Sequence, residues 1–191
     1  MHARKDFERI DRIQNQTAVG GYPIQLSAPA NPFAIITPGS AHAAELAIMW
    51  RRSIEELCTE DHHGDPEIVA VWTANKTPEY LGEALGDRSL LWFVALHPGN
   101  VLSGVGLSGQ DGIVRAVYVH PEFTGRGVGS ALMQVIENAA KTSGISLLQL
   151  ESTATARPFY RHHGFTDNGP SVIRFGVRAY PMTKHLLSTD A

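Results

Sequence analysis

Residues 117–132 read Val-Tyr-Val-His-Pro-Glu-Phe-Thr-Gly-Arg-Gly-Val-Gly-Ser-Ala-Leu, and they constrain the chain more than any other segment. A β-rich run over 114–119 stops at Pro121. A turn follows, glycines stand at alternate positions (Gly125, Gly127, Gly129), and an apolar helical pattern begins. Such a strand-to-helix turn presents several backbone N–H groups together. No Cβ blocks their approach, and the first helical amides have no intrahelical partner. With the helix dipole, those amides make an anion site suited to phosphate. The expectation is an α/β domain that docks a phosphate-bearing ligand at this turn.

The spacing does not fit the dinucleotide fingerprint G-x-G-x-x-G, and a P-loop would need Gly-Lys-Ser/Thr where the candidate lysine, Lys141, lies well down the helix. Instead, Thr124-Gly125-Arg126-Gly127-Val128-Gly129 resembles the pyrophosphate loop of GCN5-related N-acetyltransferases, Gln/Arg-x-x-Gly-x-Gly/Ala after a strand. The preceding Tyr-Val-His-Pro is also typical of that family. The opening position departs from the pattern, being Thr124 rather than Gln or Arg. Residues 156–165, Ala-Arg-Pro-Phe-Tyr-Arg-His-His-Gly-Phe, are similar to the family's A-x-x-F-Y-x-x-x-G-F element. The two motifs stand in the family's order, and the resemblance covers roughly residues 33–188.

The resemblance implies an acyl-CoA N-acyltransferase fold and acetyl-coenzyme A as the acetyl donor. It implies transfer to a primary amine of a small molecule, peptide or protein by direct attack within a ternary complex. A non-catalytic acyl-CoA sensor or interaction module of the same fold is the alternative. Backbone groups of Val117, Tyr118 and Val119 are expected to pair with the pantetheine arm. Thr124, Gly125, Arg126, Gly127, Val128, Gly129 and Ser130 are expected around the pyrophosphate, and Val119 N–H at the oxyanion. Tyr160 is the expected acid toward the departing thiolate, its unperturbed pKa near 10 being reasonable for that task. The base is open, since the strand before the phosphate loop carries no carboxylate. His120, Glu151, the His62/His63 pair and a water chain are the candidates, a histidine having a suitable unperturbed pKa. The segment joining the first helices borders the acceptor pocket in this family, as does the last hairpin. Cys58, His62, Trp72 and Lys76 are therefore pocket candidates, with Lys76 most simply a surface charge. Neither His62-His63 nor His162-His163 has a third ligand at a usual zinc spacing, so no metal is expected.

Composition sets the outer limits. The 191 residues fit one domain, and 43% hydrophobic with 18% charged residues describe an ordinary globule. No apolar run approaches the roughly 20 residues of a membrane span. A net charge of −3 argues against broad nucleic-acid binding. The single cysteine, Cys58, excludes an intrachain disulfide and fits a cytoplasmic location. A homodimer is an assembly that family members commonly form.

Residues 1–32 are expected to be an N-terminal extension, a short helix followed by a Gly/Pro-rich segment, ahead of an N-acetyltransferase domain over 33–191. Ser40 is the expected N-cap of a first helix with apolar Ala43, Leu46, Ala47, Trp50, Ile54 and Leu57. Asp65-Pro66 and Thr77-Pro78 each place a cap residue before proline at a first helical position. Strands are expected over 33–37, 90–96, 101–108, 113–119 and 145–151, with a final pair including 164–166 and 180–186. The expected fold class is α/β, a mixed central sheet of about 6–7 strands flanked by helices on both faces.

Overall fold

Leu90–His97 (β2) and Val101–Gly109 (β3) are long apolar runs buried through most of their length, because helices cover both of their faces. They pair antiparallel across a turn in which Gly99 and Asn100 adopt positive φ of 88° and 62°. The computed structural model describes residues 33–186, so the expected extension over 1–32 lies outside the described residues. Ala34–Ile36 (β1) adds beside β2, and Val114–Val119 (β4) beside β3, giving an antiparallel sheet ordered β1-β2-β3-β4. Leu147–Ser152 (β5), Thr166–Asp167 (β6) and Val177–His185 (β8) form a second antiparallel group ordered β5-β8-β6, and Val172–Arg174 (β7) pairs with β8. The mixed sheet is thus two antiparallel groups whose parallel joint is one bridge, Ile113 to Gln149. Strand β7 has only three residues, too few to show a period in the sequence.

The helices follow their local chemistry. Ala43–Leu57 (α1) is entered through a single 3₁₀ turn, Ser40–His42. Ser40 therefore lies inside that turn rather than capping the helix; Gly39 holds the cap position and donates its N–H to His42 Nδ1 at 3.2 Å. Thr59–His62 (α2) ends where His63 turns left-handed. Pro66–Thr73 (α3) is capped by Asp65, whose carboxylate accepts from Glu67 and Ile68 N–H, and Pro78–Ala84 (α4) by Thr77, which accepts from Tyr80 N–H. Val128–Thr142 (α5) follows the glycine turn, and Arg157–His162 (α6) follows β5.

Two cores result, one on each side of the first sheet. Leu132, Met133 and Ile136 of α5 meet Leu148, Leu150 and Phe165 on one side. Leu46, Trp50 and Ile54 of α1 meet Trp92, Val94 and Val105 on the other. Gly104 explains how closely α5 approaches β3, since a Cβ there would lie 2.7 Å from Val128 Cγ1.

An ion-pair cluster fastens α6 to the second sheet. Asp167 on β6 accepts from Arg157 Nε at 2.8 Å and from Arg161 Nη2 at 2.6 Å. These hydrogen bonds, Arg157 first, hold its carboxyl at about 2 against an ordinary 3.8. A depressed folded-state pKa gives stability that is present above the unfolded value and fades as pH falls toward the folded one. The Asp167→Asn variant should therefore show a smaller loss of stability between pH about 4 and about 2, read from denaturant midpoints across that range. Equal pH slopes in both proteins would contradict this.

Candidate active site

Strands β4 and β5 run parallel from the Ile113–Gln149 bridge, where Gln149 N–H donates to Gly112 O at 3.0 Å, and then diverge. The wedge between them holds a cavity of about 270 Å³ lined by Val117, Val119, Gly129, Ser152 and Tyr160, among others. Its β4 edge has usable main-chain groups. His120 N–H donates to Ser103 O on β3 at 2.9 Å, and antiparallel strands send alternate residues' main-chain groups to opposite sides. Val117 and Val119 therefore turn their N–H and C=O toward the wedge. Leu107 pairs with Ala116 and Ser108 with Val114, leaving Arg115 as a bulge. That extra residue bends β4 where the wedge opens.

The glycine turn lies at the other end of this edge. Gly125 and Gly127 adopt φ of 71° and 83°, a left-handed conformation that a side chain rarely accepts. A Cβ at either would meet no protein atom within 4 Å, so the space over the turn is open. Gly127 caps α5 without a side chain, leaving the first-turn amides over 128–130 without intrahelical partners. Gly129 is packed differently, since a Cβ there would lie 3.1 Å from Phe159 Cε2. Around the turn, Thr124 Oγ1 donates to Pro121 O at 3.1 Å. Arg126 stacks 5.3 Å over the Phe123 ring, and Ser130 Oγ lies 3.1 Å from His163 Nε2. These open, donor-rich groups fit a diphosphate, and the wedge fits an extended arm with its own amides.

Tyr160 faces the wedge from α6, 7% exposed, with its ring 5.2 Å from Phe159 and 5.7 Å from Phe165. Burial, with Cys58 nearby, pushes its phenol above the ordinary value, so the hydroxyl keeps its proton. Cys58 lines the same wedge, and burial pushes its thiol up to about 12, which makes it wall rather than nucleophile.

A second cavity, of about 510 Å³, opens on the face of β4 opposite α5. It shares Val114, Arg115, Tyr118, Glu151 and Thr153 with the wedge. Burial also raises the phenol of Tyr118, whose ring stands 5.3 Å from Trp50. Trp72 belongs to this cavity. The alternation of β5 buries Leu148, Leu150 and Ser152 and turns Glu151 outward. Arg174 holds Glu151 with two hydrogen bonds, Nε at 2.6 Å and Nη2 at 2.8 Å.

Other candidates are directed elsewhere. His120 is absent from the lining of both cavities. Its Nδ1 accepts from Glu122 N–H at 3.2 Å, and in that tautomer the protonated Nε2 only lies beside Arg52 Nη1, at 3.0 Å. His62 is 2% exposed and serves the core: Nε2 lies 3.2 Å from Ile54 O, and Nδ1 accepts from Gly64 N–H at 3.0 Å. Lys76 is not a surface charge. It is 8% exposed, lies 4.8 Å over the Trp50 ring, and burial lowers its pKa to about 8. Among the described residues, no three His, Cys, Asp or Glu side chains are grouped to hold a metal.

Asp61 was invisible to sequence reasoning because its partner lies far along the chain. Ala154 N–H, in the loop between β5 and α6, donates to Asp61 Oδ1 at 2.8 Å, while Oδ2 is buried without a partner. Replacement by alanine would remove the charged acceptor of this part-buried bond, in the loop that leads into the helix of Tyr160. Asp61→Ala should lose about 1–3 kcal/mol of stability by denaturant unfolding, and Asp61→Asn, which retains an acceptor oxygen, clearly less. Equal losses would remove this bond from the account.

Fold and wedge together define an α/β domain with an open cleft between two diverging strands. The chain belongs to the GNAT acetyltransferase domain family, whose profile matches residues 59–186. That family uses acetyl-coenzyme A as acyl donor. A curated relative, an IAA acetyltransferase of Azospirillum brasilense, is 32% identical over 95 residues, 46% of this chain and 62% of that protein's length. Among solved structures, a GCN5-related N-acetyltransferase from Rhodopseudomonas palustris superposes with a TM-score of 0.73 at 25% identity, covering 84% of this chain and 99% of that one. The PaiA N-acetyltransferase of Thermoplasma acidophilum, solved with coenzyme A, has a TM-score of 0.68 at 18% identity over 81% of this chain and 99% of its own. An acetyltransferase of Salmonella typhimurium, solved with acetyl-CoA, has a TM-score of 0.58 at 21% identity over 84% and 98% of the two chains. Among the described residues, no helix is long and apolar enough to cross a membrane.

Proposed function

We propose that this protein is an acetyl-CoA-dependent N-acetyltransferase acting on a primary amine in a ternary complex. The observation that carries the proposal is the β4 edge: Val117 and Val119 turn unshared main-chain groups into a wedge that Tyr160 closes on the other side. The coenzyme, when bound, supplies an acyl carbon activated as a thioester. Val117 holds the arm as a neighbouring strand would, and first-turn amides of α5 hold the diphosphate. Val119 N–H is turned to donate to the acyl oxygen, a contact whose loss costs about 2.7–4 kcal/mol in comparable sites. Tyr160 Oη holds a proton for the leaving sulfur.

Glu151 is the proton acceptor that the arrangement favours. It is the one carboxylate lining both cavities and so stands where they adjoin. Arg174 fixes its orientation with one bond to each oxygen, and each oxygen keeps a second lone pair for a proton. The proposal assumes a cytoplasmic enzyme, consistent with its single thiol.

The test is release of free thiol from acetyl-CoA in the presence of an amine panel, with the acetylated amine confirmed by mass. Stoichiometric thiol and product would support the enzyme reading. Tight coenzyme binding without thiol release against any amine would instead identify an acyl-CoA sensor.

A further inference from the structure

The larger cavity carries chemistry that coenzyme binding does not call for. At about 510 Å³ it is of small-ligand size, and Trp72, Tyr118, Leu150, Phe175, Pro181 and Met182 supply much of its wall. Its charges are already matched. Arg174 is bonded twice to Glu151, and Arg115 reaches Asp111 at 3.0 Å and 2.6 Å and also donates to Ile113 O. Glu151 is the only carboxylate among the lining residues. An anionic acceptor would find both guanidinium groups taken, and a polycation would bring several ammonium groups to one acid that Arg174 already pairs.

The β7–β8 hairpin adds an independent observation. Its two-residue turn is Phe175-Gly176, with φ of 51° and 82°. Such turns favour asparagine or aspartate before glycine, and a bulky aromatic with positive φ is an outlier. The strained Phe175 is nonetheless 51% exposed and lines the cavity. The tip that bears it is seated against α3: a Cβ on Gly176 would lie 3.3 Å from Ile68 Cγ1. Strained residues cluster at ligand sites, and here the strain sets an aromatic ring at a cavity rim.

We propose that the acceptor is an arylalkyl monoamine, its ring lying among Phe175, Trp72 and Tyr118 and its nitrogen directed past Glu151 into the wedge. This rests on the acetyltransferase reading and names its substrate class. Aromatic walls favour an aromatic guest through offset or edge contacts. With Glu151 and Arg174 already paired, the largely apolar wall suits a guest that carries a single nitrogen rather than several charges.

The experiment compares 2-phenylethylamine, spermidine and lysine, by thiol release and by calorimetry with coenzyme A present, in the parent protein and in Phe175→Asn. Asparagine suits the turn, so that variant folds at least as well, which thermal unfolding and gel filtration check. Expected is a kcat/KM for 2-phenylethylamine at least about tenfold above the other two, and in the variant a KM for it raised about tenfold more than kcat changes. Preference for spermidine or lysine overturns the proposal. So does an unchanged KM, with or without a changed oligomeric state; a changed state would make the tip a contact between copies. If thiol release fails with every amine, but 2-phenylethylamine still binds and the variant weakens it, the pocket stands and the catalytic reading falls.

Discussion

Replacing Tyr160 by phenylalanine is expected to lower acetyl transfer by about 10²–10⁴-fold, the usual contribution of a positioned acid, with coenzyme affinity little changed. The ring contacts with Phe159 and Phe165 survive the substitution. No protein group among the described residues hydrogen-bonds the hydroxyl, so its removal strands no partner. The loss should therefore appear in kcat, with thermal stability close to the parent's. Burial sets the pH dependence: because the folded pKa is raised, the hydroxyl stays protonated beyond the ordinary phenol value of about 10. The kcat profile should carry no alkaline downturn from this group below that pH. A downturn near pH 8–9 in the parent, absent from the phenylalanine variant, would sink that assignment.

The second large effect belongs to Gly127. With φ of 83° at the cap of α5, it holds a conformation that a β-branched residue strongly resists. Gly127→Val should raise the coenzyme dissociation constant by about 100-fold or more, since the turn must move and the first-turn amides lose their common direction. A Cβ there meets no protein atom within 4 Å, so the fold tolerates the change. The expected stability cost is only the strain, about 1–3 kcal/mol, or a few degrees in Tm. Calorimetry with coenzyme A and a melting curve separate the two. Unchanged affinity would mean that this turn holds no diphosphate.

Gly129 sits in the same run but acts differently. The alternating glycines look equivalent in the sequence, yet Gly125 and Gly127 are needed for their φ, and Gly129 for the approach of Phe159. The first requirement is written in the turn, whereas the second needs the helix that packs on it. Asp65 and Thr77 were legible for the reason that Gly125 and Gly127 were: a cap is a bond to an amide two or three residues away. Ser40 misled because a 3₁₀ turn intervened before the helix. His120 neighbours the strand end in the motif, but its contact with Arg52, 68 residues away in the chain, is invisible to any local window.

The chain by itself determined the glycine turn, the proline caps, the apolar strands and the Tyr160 motif. Each is a matter of φ freedom, missing donors or short-range periodicity, and covalent neighbours settle those. Only the tertiary structure decided that Asp61 grips Ala154, that Arg174 aligns Glu151, that Lys76 is buried over Trp50, and that Phe175 borders a second cavity. Those groups are brought together by packing between distant segments, and their energies depend on burial and partners that no local window contains.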